Sequence, residues 1–135
     1  MMIYSDTETT TIGYDQEVKS TYLLFKRPLD EEEIIQAQQE FLAAISSTEV
    51  KTSKHISDAR ALESLTFHSQ EWYNKVIIPF IKEQSSEDKA TIAIVINPEL
   101  MQVINPNDLN SRITSDAKTG YFEDEATARA WLAVQ

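Results

Sequence analysis

The pattern of hydrophobic and polar positions begins with two segments that are typical of strands. Residues 8–14 are rich in Thr, Ile and Tyr, and residues 18–26 (VKSTYLLFK) combine β-branched, aromatic and aliphatic side chains. Runs of this composition predict strands. Asp15 and Gln16 lie between the two runs and suit a turn, so the pattern predicts an N-terminal hairpin.

The hydrophobic positions then change to helical spacing. They recur at Ile34, Ala37, Phe41, Ala44 and Ile45. This spacing predicts a helix with one apolar stripe, which we expect to end near Ser46. Asp30 suits the N-cap, and Glu33 follows three residues later to complete a capping box. Residues 31–33 are all acidic and suit the positive end of the helix dipole, which favours a solvated first turn over a metal site.

The middle of the chain predicts a strand, a helix and a second strand. The run HISDAR (55–60) is typical of a short strand that begins slightly earlier. Residues 69–84 have a broad apolar helical face, and Pro79 within them predicts a kink or an early end near residue 78. Residues 89–97 (KATIAIVIN) are almost continuously apolar, which indicates a central parallel strand that is covered on both faces.

The last third of the chain predicts short elements. Residues 97–114 contain two similar starts, NPELMQVI and NPNDLNSRI, in which an Asn N-cap precedes a Pro at the first helical position. They predict two short helices or one broken helix. Residues 118–124 (KTGYFED) predict a strand, and the final residues EATARAWLAVQ predict a helix. We expect its packing residues to be Ala126, Ala130, Trp131 and Val134, with Phe122 and Trp131 largely buried.

The alternation of strands and helices predicts an α/β fold with a single, mainly parallel sheet, an N-terminal hairpin and helices packed against the sheet. The chain has 135 residues, which corresponds to about one domain. No Gly-, Ser- or Pro-rich linker divides it. We therefore expect one domain over residues 1–135.

Composition excludes several classes of function. The chain has 22 acidic and 12 basic residues and a formal charge of −10, which argues against nucleic-acid binding and against docking on anionic membranes. It contains no cysteine, so thiol catalysis, disulfides and cysteine-ligated zinc are excluded. Its two glycines are too few for a Rossmann or P-loop phosphate site. The N-terminus lacks the features of a signal peptide and no apolar run is long enough for a membrane span; we expect a cytoplasmic protein without membrane insertion.

Several segments, taken in order, resemble a known family. A strand ending in Asp58-Ala59-Arg60 precedes a helix with an early tryptophan, Trp72, and an apolar strand, TIAIVI, follows. The chain closes on a Phe-x-x-x-x-Ala…Trp-Leu pattern, at Phe122, Ala126, Trp131 and Leu132. This order resembles the SpoIIAA-like group of small bacterial domains within the STAS fold, which is also described as related to SEC14-type lipid-binding domains. The resemblance extends from about residue 8 to the end of the chain.

The resemblance implies a STAS-like fold and a binding or regulatory role, with one departure. True anti-sigma-factor antagonists carry a phosphorylated serine in an Asp-Ser-Ser-Gly type of turn, and this chain has no such turn. Ser69 is a serine near the equivalent helix start, where a plain N-cap role is sufficient. We therefore expect no regulatory phosphorylation site at Ser69.

The candidate ligand site is centred on Asp58 and Arg60. Side chains two residues apart on a strand project to the same face, and open α/β sheets bind ligands at the carboxyl ends of their parallel strands. Arg60 could hold an anionic group, Asp58 could orient Arg60, and Phe67 or Trp72 could pack on an apolar part of a ligand. A structural ion pair between Asp58 and Arg60 is the competing interpretation, which we favour by about two to one.

The remaining chemistry-bearing residues form no recognisable catalytic or metal-binding motif. His55 and His68 are the only histidines and have no ligand spacing, and no serine lies in a nucleophile-elbow motif. The sequence therefore predicts no metal, no cofactor and no enzymatic activity. We expect a binding or regulatory module whose partner is another protein or a small apolar, lipid-like molecule with an anionic head; a homodimer stays open.

Overall fold

The computed structural model describes residues 1–64, 67–84, 89–103, 112–113 and 117–135. Its strands are β1 (Met2–Asp6), β2 (Thr10–Asp15), β3 (Ser20–Phe25), β4 (Lys54–Asp58), β5 (Ala90–Val95), β6 (Arg112–Ile113) and β7 (Ala117–Phe122). Its helices are α1 (Glu31–Ser46), α2 (Phe67–Trp72), a π-helical segment (Tyr73–Ile77), α3 (Ile78–Glu83), α4 (Pro98–Val103) and α5 (Glu125–Ala133). None of the helices in these ranges has the length and apolar character that crossing a membrane requires. The predicted α/β class is confirmed.

The strands form one sheet in the order β1-β2-β3-β4-β5-β7-β6. The centre of the sheet is parallel, because β3, β4, β5 and β7 pair with one another in the same direction. The predicted hairpin is present as the antiparallel pair β2 and β3. Two further strands were not predicted. Strand β1 pairs antiparallel with β2 at the edge of the sheet, and β6 is a two-residue strand antiparallel to β7.

Strand β5 confirms the prediction for the apolar run. It lies between β4 and β7 and is parallel to both. Its side chains alternate between two hydrophobic clusters, as the two-residue period of a strand requires. Ile92 belongs to the cluster that also contains Phe41 of α1, and Ala93 belongs to the cluster that contains Leu132 of α5. Helices therefore cover both faces of the sheet.

We call these two groups the large cluster and the small cluster. The large cluster packs α1, the π-helical segment and α3 on one face; its most buried members include Ile12, Ile34, Phe41, Ile77 and Ile92. The small cluster packs α5 on the other face; its buried members are Val18, Tyr22, Ile56, Ala93, Val95, Ala128 and Leu132. The face on which a strand residue lies therefore determines which helices it can contact.

Helix α1 forms as its sequence predicts. Asp30 is the N-cap, its side chain accepts a hydrogen bond from the Glu33 N–H, and the Glu33 side chain accepts one from the Asp30 N–H. The helix ends at Ser46, and Leu29 and Ile34 are both buried in the large cluster. The capping box and the predicted apolar stripe are confirmed.

The helix that contains Pro79 continues through the proline. The five residues Tyr73–Ile77 are π-helical, and the Ile78 N–H donates to the Tyr73 carbonyl five residues earlier. The π-helical turn directly precedes Pro79, the second residue of α3, and lets the helix accommodate a residue that has no N–H to donate. The predicted irregularity near residue 78 is present, but it is a π-helical turn and the helix extends to Glu83.

The segment after β5 begins as predicted. The Asn97 side chain accepts a hydrogen bond from the Leu100 N–H at 2.9 Å and caps α4. Residues 104–111, where the second short helix is predicted, lie outside the described residues. Arg112 and Ile113, which the helical interpretation included, form strand β6.

The C-terminal helix packs with a different face from the predicted one. Its buried residues are Ala128 and Leu132, whereas Ala126 and Ala130 are exposed and Val134 is 81% exposed. Alanines occur on several sides of this helix, so hydrophobicity alone did not identify the packing face. Phe122 and Trp131 are half-buried rather than largely buried. Their rings contact each other with centroids 5.4 Å apart.

Candidate functional site

Asp58 is a fully buried carboxylate at the carboxyl end of β4. It pairs in register with Leu24 of β3 and Val95 of β5, and its exposed fraction is 0%. It lies on the same face of β4 as Ile56, which belongs to the small cluster. Its side chain therefore points towards α5, at the edge of the sheet where parallel strands end.

Arg60 binds Asp58 through two nitrogens. Its Nε donates to Asp58 Oδ1 at 3.0 Å, and its Nη2 donates to Asp58 Oδ2 at 2.6 Å. The main-chain N–H of Arg60 also donates to Oδ1, at 3.2 Å. Because β4 ends at Asp58, the tight turn after the strand, rather than strand geometry, brings the two side chains together. The predicted pairing is present, and the Arg60 side chain keeps 45% of its surface exposed.

Two residues that the sequence analysis did not identify complete this cluster. Glu125 is the first residue of α5, and its Oε2 accepts a hydrogen bond from the Tyr22 hydroxyl at 2.8 Å. The same oxygen lies 3.4 Å from Arg60 Nη2. Tyr22 comes from β3, and it is 103 residues from Glu125 in the chain. We call Tyr22, Asp58, Arg60 and Glu125 the carboxyl-edge cluster.

The two acids of the carboxyl-edge cluster have pKa values that are shifted in opposite directions. Burial raises the pKa of Asp58, but the hydrogen bonds and charge of Arg60 outweigh burial and hold the pKa below its usual value. Burial raises the pKa of Glu125 to about 7, and its hydrogen bond with Asp58 adds to the rise. Burial and the neighbouring Glu125 raise the pKa of Tyr22. Glu125 is thus the group in this cluster that changes its charge near neutral pH.

One of the two predicted aromatic partners, Trp72, does not join this cluster. Trp72, at the end of α2, packs half-buried against the large cluster on the opposite face of the sheet. Leu100 of α4 is also part of the large cluster. Phe67 is the first residue of α2, but its side chain lies outside the described residues. The structure therefore brings Asp58 and Arg60 together and separates both from Trp72.

Ser69 is not at the position that the sequence analysis gave it. Helix α2 begins at Phe67, so Ser69 is its third residue rather than its N-cap. Its exposed fraction is 2%. The absence of a regulatory phosphorylation site at Ser69 stays a prediction.

The two histidines lie in different environments. His55 is fully buried on β4; its Nδ1 lies 2.8 Å from the Thr21 hydroxyl, and its ring contacts Phe41. Burial lowers the pKa of His55 to about 3, so its imidazole is neutral at physiological pH. His68 is exposed on α2. Within the described ranges, no group of three or more His, Cys, Asp and Glu side chains is arranged to hold a metal ion.

Two further surface features bear on binding. A groove of about 390 Å³ lies beside α1, and its lining residues are Thr9, Glu32, Glu33, Gln36, Ala37 and Glu40. Three of the six lining residues are glutamates, and their charge disfavours a ligand with an anionic head there. Of the large hydrophobic residues exposed in the described part of the chain, Met1, Met2 and Ile3 lie together on or next to the edge strand β1.

Comparison of the chain with protein-family models, with curated proteins and with solved structures finds no match. The resemblance to the SpoIIAA-like group therefore stays a prediction from the sequence.

Proposed function

We propose that this chain is a non-catalytic binding or regulatory module of the SpoIIAA-like, bacterial and cytoplasmic kind. In this proposal, Arg60 receives an anionic group of the partner, such as a carboxylate or a phosphate. The observation that carries the proposal is the position of Arg60, whose side chain is 45% exposed while the fully buried carboxylate of Asp58 binds its guanidinium. An arginine held in this way is already ordered before a partner arrives.

The contacts of Arg60 support this role because the strong ones, to Asp58, use only Nε and Nη2, and the contact of Nη2 with Glu125 is longer, at 3.4 Å. Nε and Nη2 bind Asp58, and among the described residues Nη1 has no acceptor. The planar guanidinium can bind two oxygens of a carboxylate or phosphate side by side. A partner's oxygens can therefore approach the exposed edge while Asp58 keeps the side chain in place.

A protein partner fits this surface better than a lipid-like ligand. Trp72 was expected to hold the apolar part of such a ligand, but it packs against the opposite face of the sheet. The net charge of −10 also weakens the binding of a free anion, so tight binding must draw on contacts in addition to Arg60. A protein surface supplies such contacts, and the exposed apolar residues of β1 offer a second contact area. We expect no nucleic-acid partner, and a homodimer stays open.

The experiment compares anionic and neutral fragments on three proteins. A fragment library with matched carboxylates, phosphates and neutral amides is screened by thermal shift on the parent, on Arg60→Ala and on Arg27→Ala. Arg27 is the matched control because it is 47% exposed and pairs at 2.9 Å with Glu33, which is not a member of the carboxyl-edge cluster. We expect anionic fragments to raise the Tm of the parent and of Arg27→Ala, but not that of Arg60→Ala.

Two results separate this proposal from a purely structural ion pair. If the same anionic fragments raise the Tm of Arg60→Ala as much as that of the parent, Arg60 does not bind them and the proposal is wrong. If the library yields no anion-selective fragment and Arg60→Ala has a much lower Tm than the parent, the structural interpretation is correct. An Arg60→Lys variant tests the geometry, because lysine keeps the charge but loses the two-pronged contact.

A further inference from the structure

Two carboxyl groups share one guanidinium in the carboxyl-edge cluster. Arg60 binds Asp58 through Nε and Nη2, and Nη2 lies 3.4 Å from Glu125 Oε2. Asp58 has no exposed surface, whereas the Glu125 side chain is 28% exposed. The contact between Arg60 and Glu125 is thus the longer and more accessible of the two ion pairs.

We propose that Glu125 competes with external anions for Arg60, and that binding of an external anion is accompanied by the uptake of one proton by Glu125. This inference rests on the proposed function, because it describes how the Arg60 site is regulated. The site then binds anions more tightly in mild acid than in mild alkali. Glu125 is a regulatory residue here and not a direct ligand of the anion.

The charge balance of the cluster gives the physical reason. With both acids ionised, two negative charges face the single positive charge of Arg60, and an external anion adds a further negative charge in a partly buried place. A proton taken from the buffer by Glu125 removes one of these charges. The neutral carboxyl can then donate its proton in a hydrogen bond to Asp58, and it still accepts the hydrogen bond from Tyr22. Burial and the contact with Asp58 raise the pKa of Glu125 to about 7, so the proton is available near neutrality.

Other charged groups near Glu125 are already engaged. On its own helix, Asp124 caps α5 by accepting a hydrogen bond from the Thr127 N–H at 2.7 Å. Arg129, one turn further along, binds Asp15 at 2.7 Å and also Glu17. The facing groups from the sheet are Tyr22, Asp58 and Arg60. Arg60 is thus the cation that contacts the Glu125 carboxyl within the described part of the chain.

Sulfate is the probe for the test, because it keeps the same charge between pH 5.5 and pH 8.5. Its binding is followed by the NMR signal of the Arg60 Nε–H in the parent, in Glu125→Gln and in Glu123→Gln. Glu123 is the matched control, since it is an exposed glutamate two residues away. We expect the sulfate Kd of the parent and of Glu123→Gln to rise about tenfold from pH 6 to pH 8. The Kd of Glu125→Gln should stay constant.

A second measurement needs no variant. Calorimetric titration of the parent with sulfate at pH 7.5, in two buffers with different ionisation enthalpies, reports the number of protons taken up. We expect between half and one proton for each sulfate bound. Uptake close to zero overturns the proton coupling, whatever the variants do.

The outcomes distinguish failure of the coupling from failure of the proposed function. If Arg60→Ala binds sulfate as tightly as the parent, or if the parent binds no sulfate up to 100 mM at any pH, anion recognition by Arg60 is wrong. If binding requires Arg60 but has the same pH dependence in the parent and in Glu125→Gln, only the role of Glu125 is wrong.

Discussion

Replacing Glu125 by glutamine should stabilise the folded protein above neutral pH and change little in mild acid. The ordinary pKa of a glutamic acid is 4.5, and burial beside Asp58 raises that of Glu125 to about 7. Between these two values the folded state keeps a proton that the unfolded state has released. Stability therefore falls as the pH rises through this window. Glutamine resembles the protonated acid and does not ionise, so Glu125→Gln should not lose stability over this pH range.

The magnitude follows from the difference between the two pKa values. Each pKa unit corresponds to about 1.4 kcal/mol, so the complete effect has a ceiling of about 3 kcal/mol above pH 7. The Glu125 side chain is 28% exposed, and solvent screening reduces the effect, so we expect a gain of about 1–2 kcal/mol for Glu125→Gln at pH 8. At pH 5 the difference from the parent should be within about 0.5 kcal/mol.

Urea denaturation at pH 5 and at pH 8 measures this difference, with Glu123→Gln as the control for loss of a surface charge. The ionisation of Asp58 changes stability in the opposite direction and over a lower pH range. Its pKa is lowered, so its contribution is present above its ordinary pKa of 3.8 and is lost as the pH falls through the folded-state value. An equal effect of Glu125→Gln at both pH values, or a destabilisation at pH 8, would refute the reasoning.

Three further predictions concern stability alone. Phe41→Ala should lower the free energy of unfolding by about 3–5 kcal/mol, because Phe41 is fully buried between α1 and the sheet; an unchanged urea midpoint would contradict this. Asp30→Ala should cost about 1 kcal/mol, since it removes the capping box of α1, and Asp30→Asn should restore most of the loss in the same urea assay. Trp131→Ala should cost about 2 kcal/mol, because the half-buried ring packs on Phe122; a loss as large as that of Phe41→Ala would mean that Trp131 is buried more deeply.

Strong local signals explain why most of the fold could be predicted. The helix α1 carries a capping box and a regular apolar stripe, and both appear in the structure. The apolar run of β5 reports burial on both faces directly. By contrast, β1 lies at an edge with exposed hydrophobic residues. An exposed edge strand imposes no regular pattern on its residues, so its sequence gave no clear strand signal.

Only two of the four residues of the carboxyl-edge cluster could be predicted, because the other two are distant from them in the sequence. Asp58 and Arg60 are neighbours in sequence, so the turn after β4 joins them locally. Tyr22 and Glu125 reach the same place through the order of the strands and the docking of α5. The sequence does not determine that α5 covers the Asp58 face while α2 and its tryptophan cover the other. For this reason Trp72 was placed on the wrong side and Glu125 was missed.

The division of the interior into a large and a small cluster affects how the molecule opens. The small cluster has fewer buried residues than the large one among the described residues, and its helical members come from α5. A layer with few apolar contacts opens in local fluctuations without global unfolding. The amide protons of α5 should therefore exchange with solvent faster than those of β4 and β5. The substitution Phe41→Ala should increase the amide exchange rates of these strands more than those of α5. Since Glu125 belongs to that layer, we expect it to move away from Tyr22 and Arg60 in such openings while Asp58 stays in place on β4.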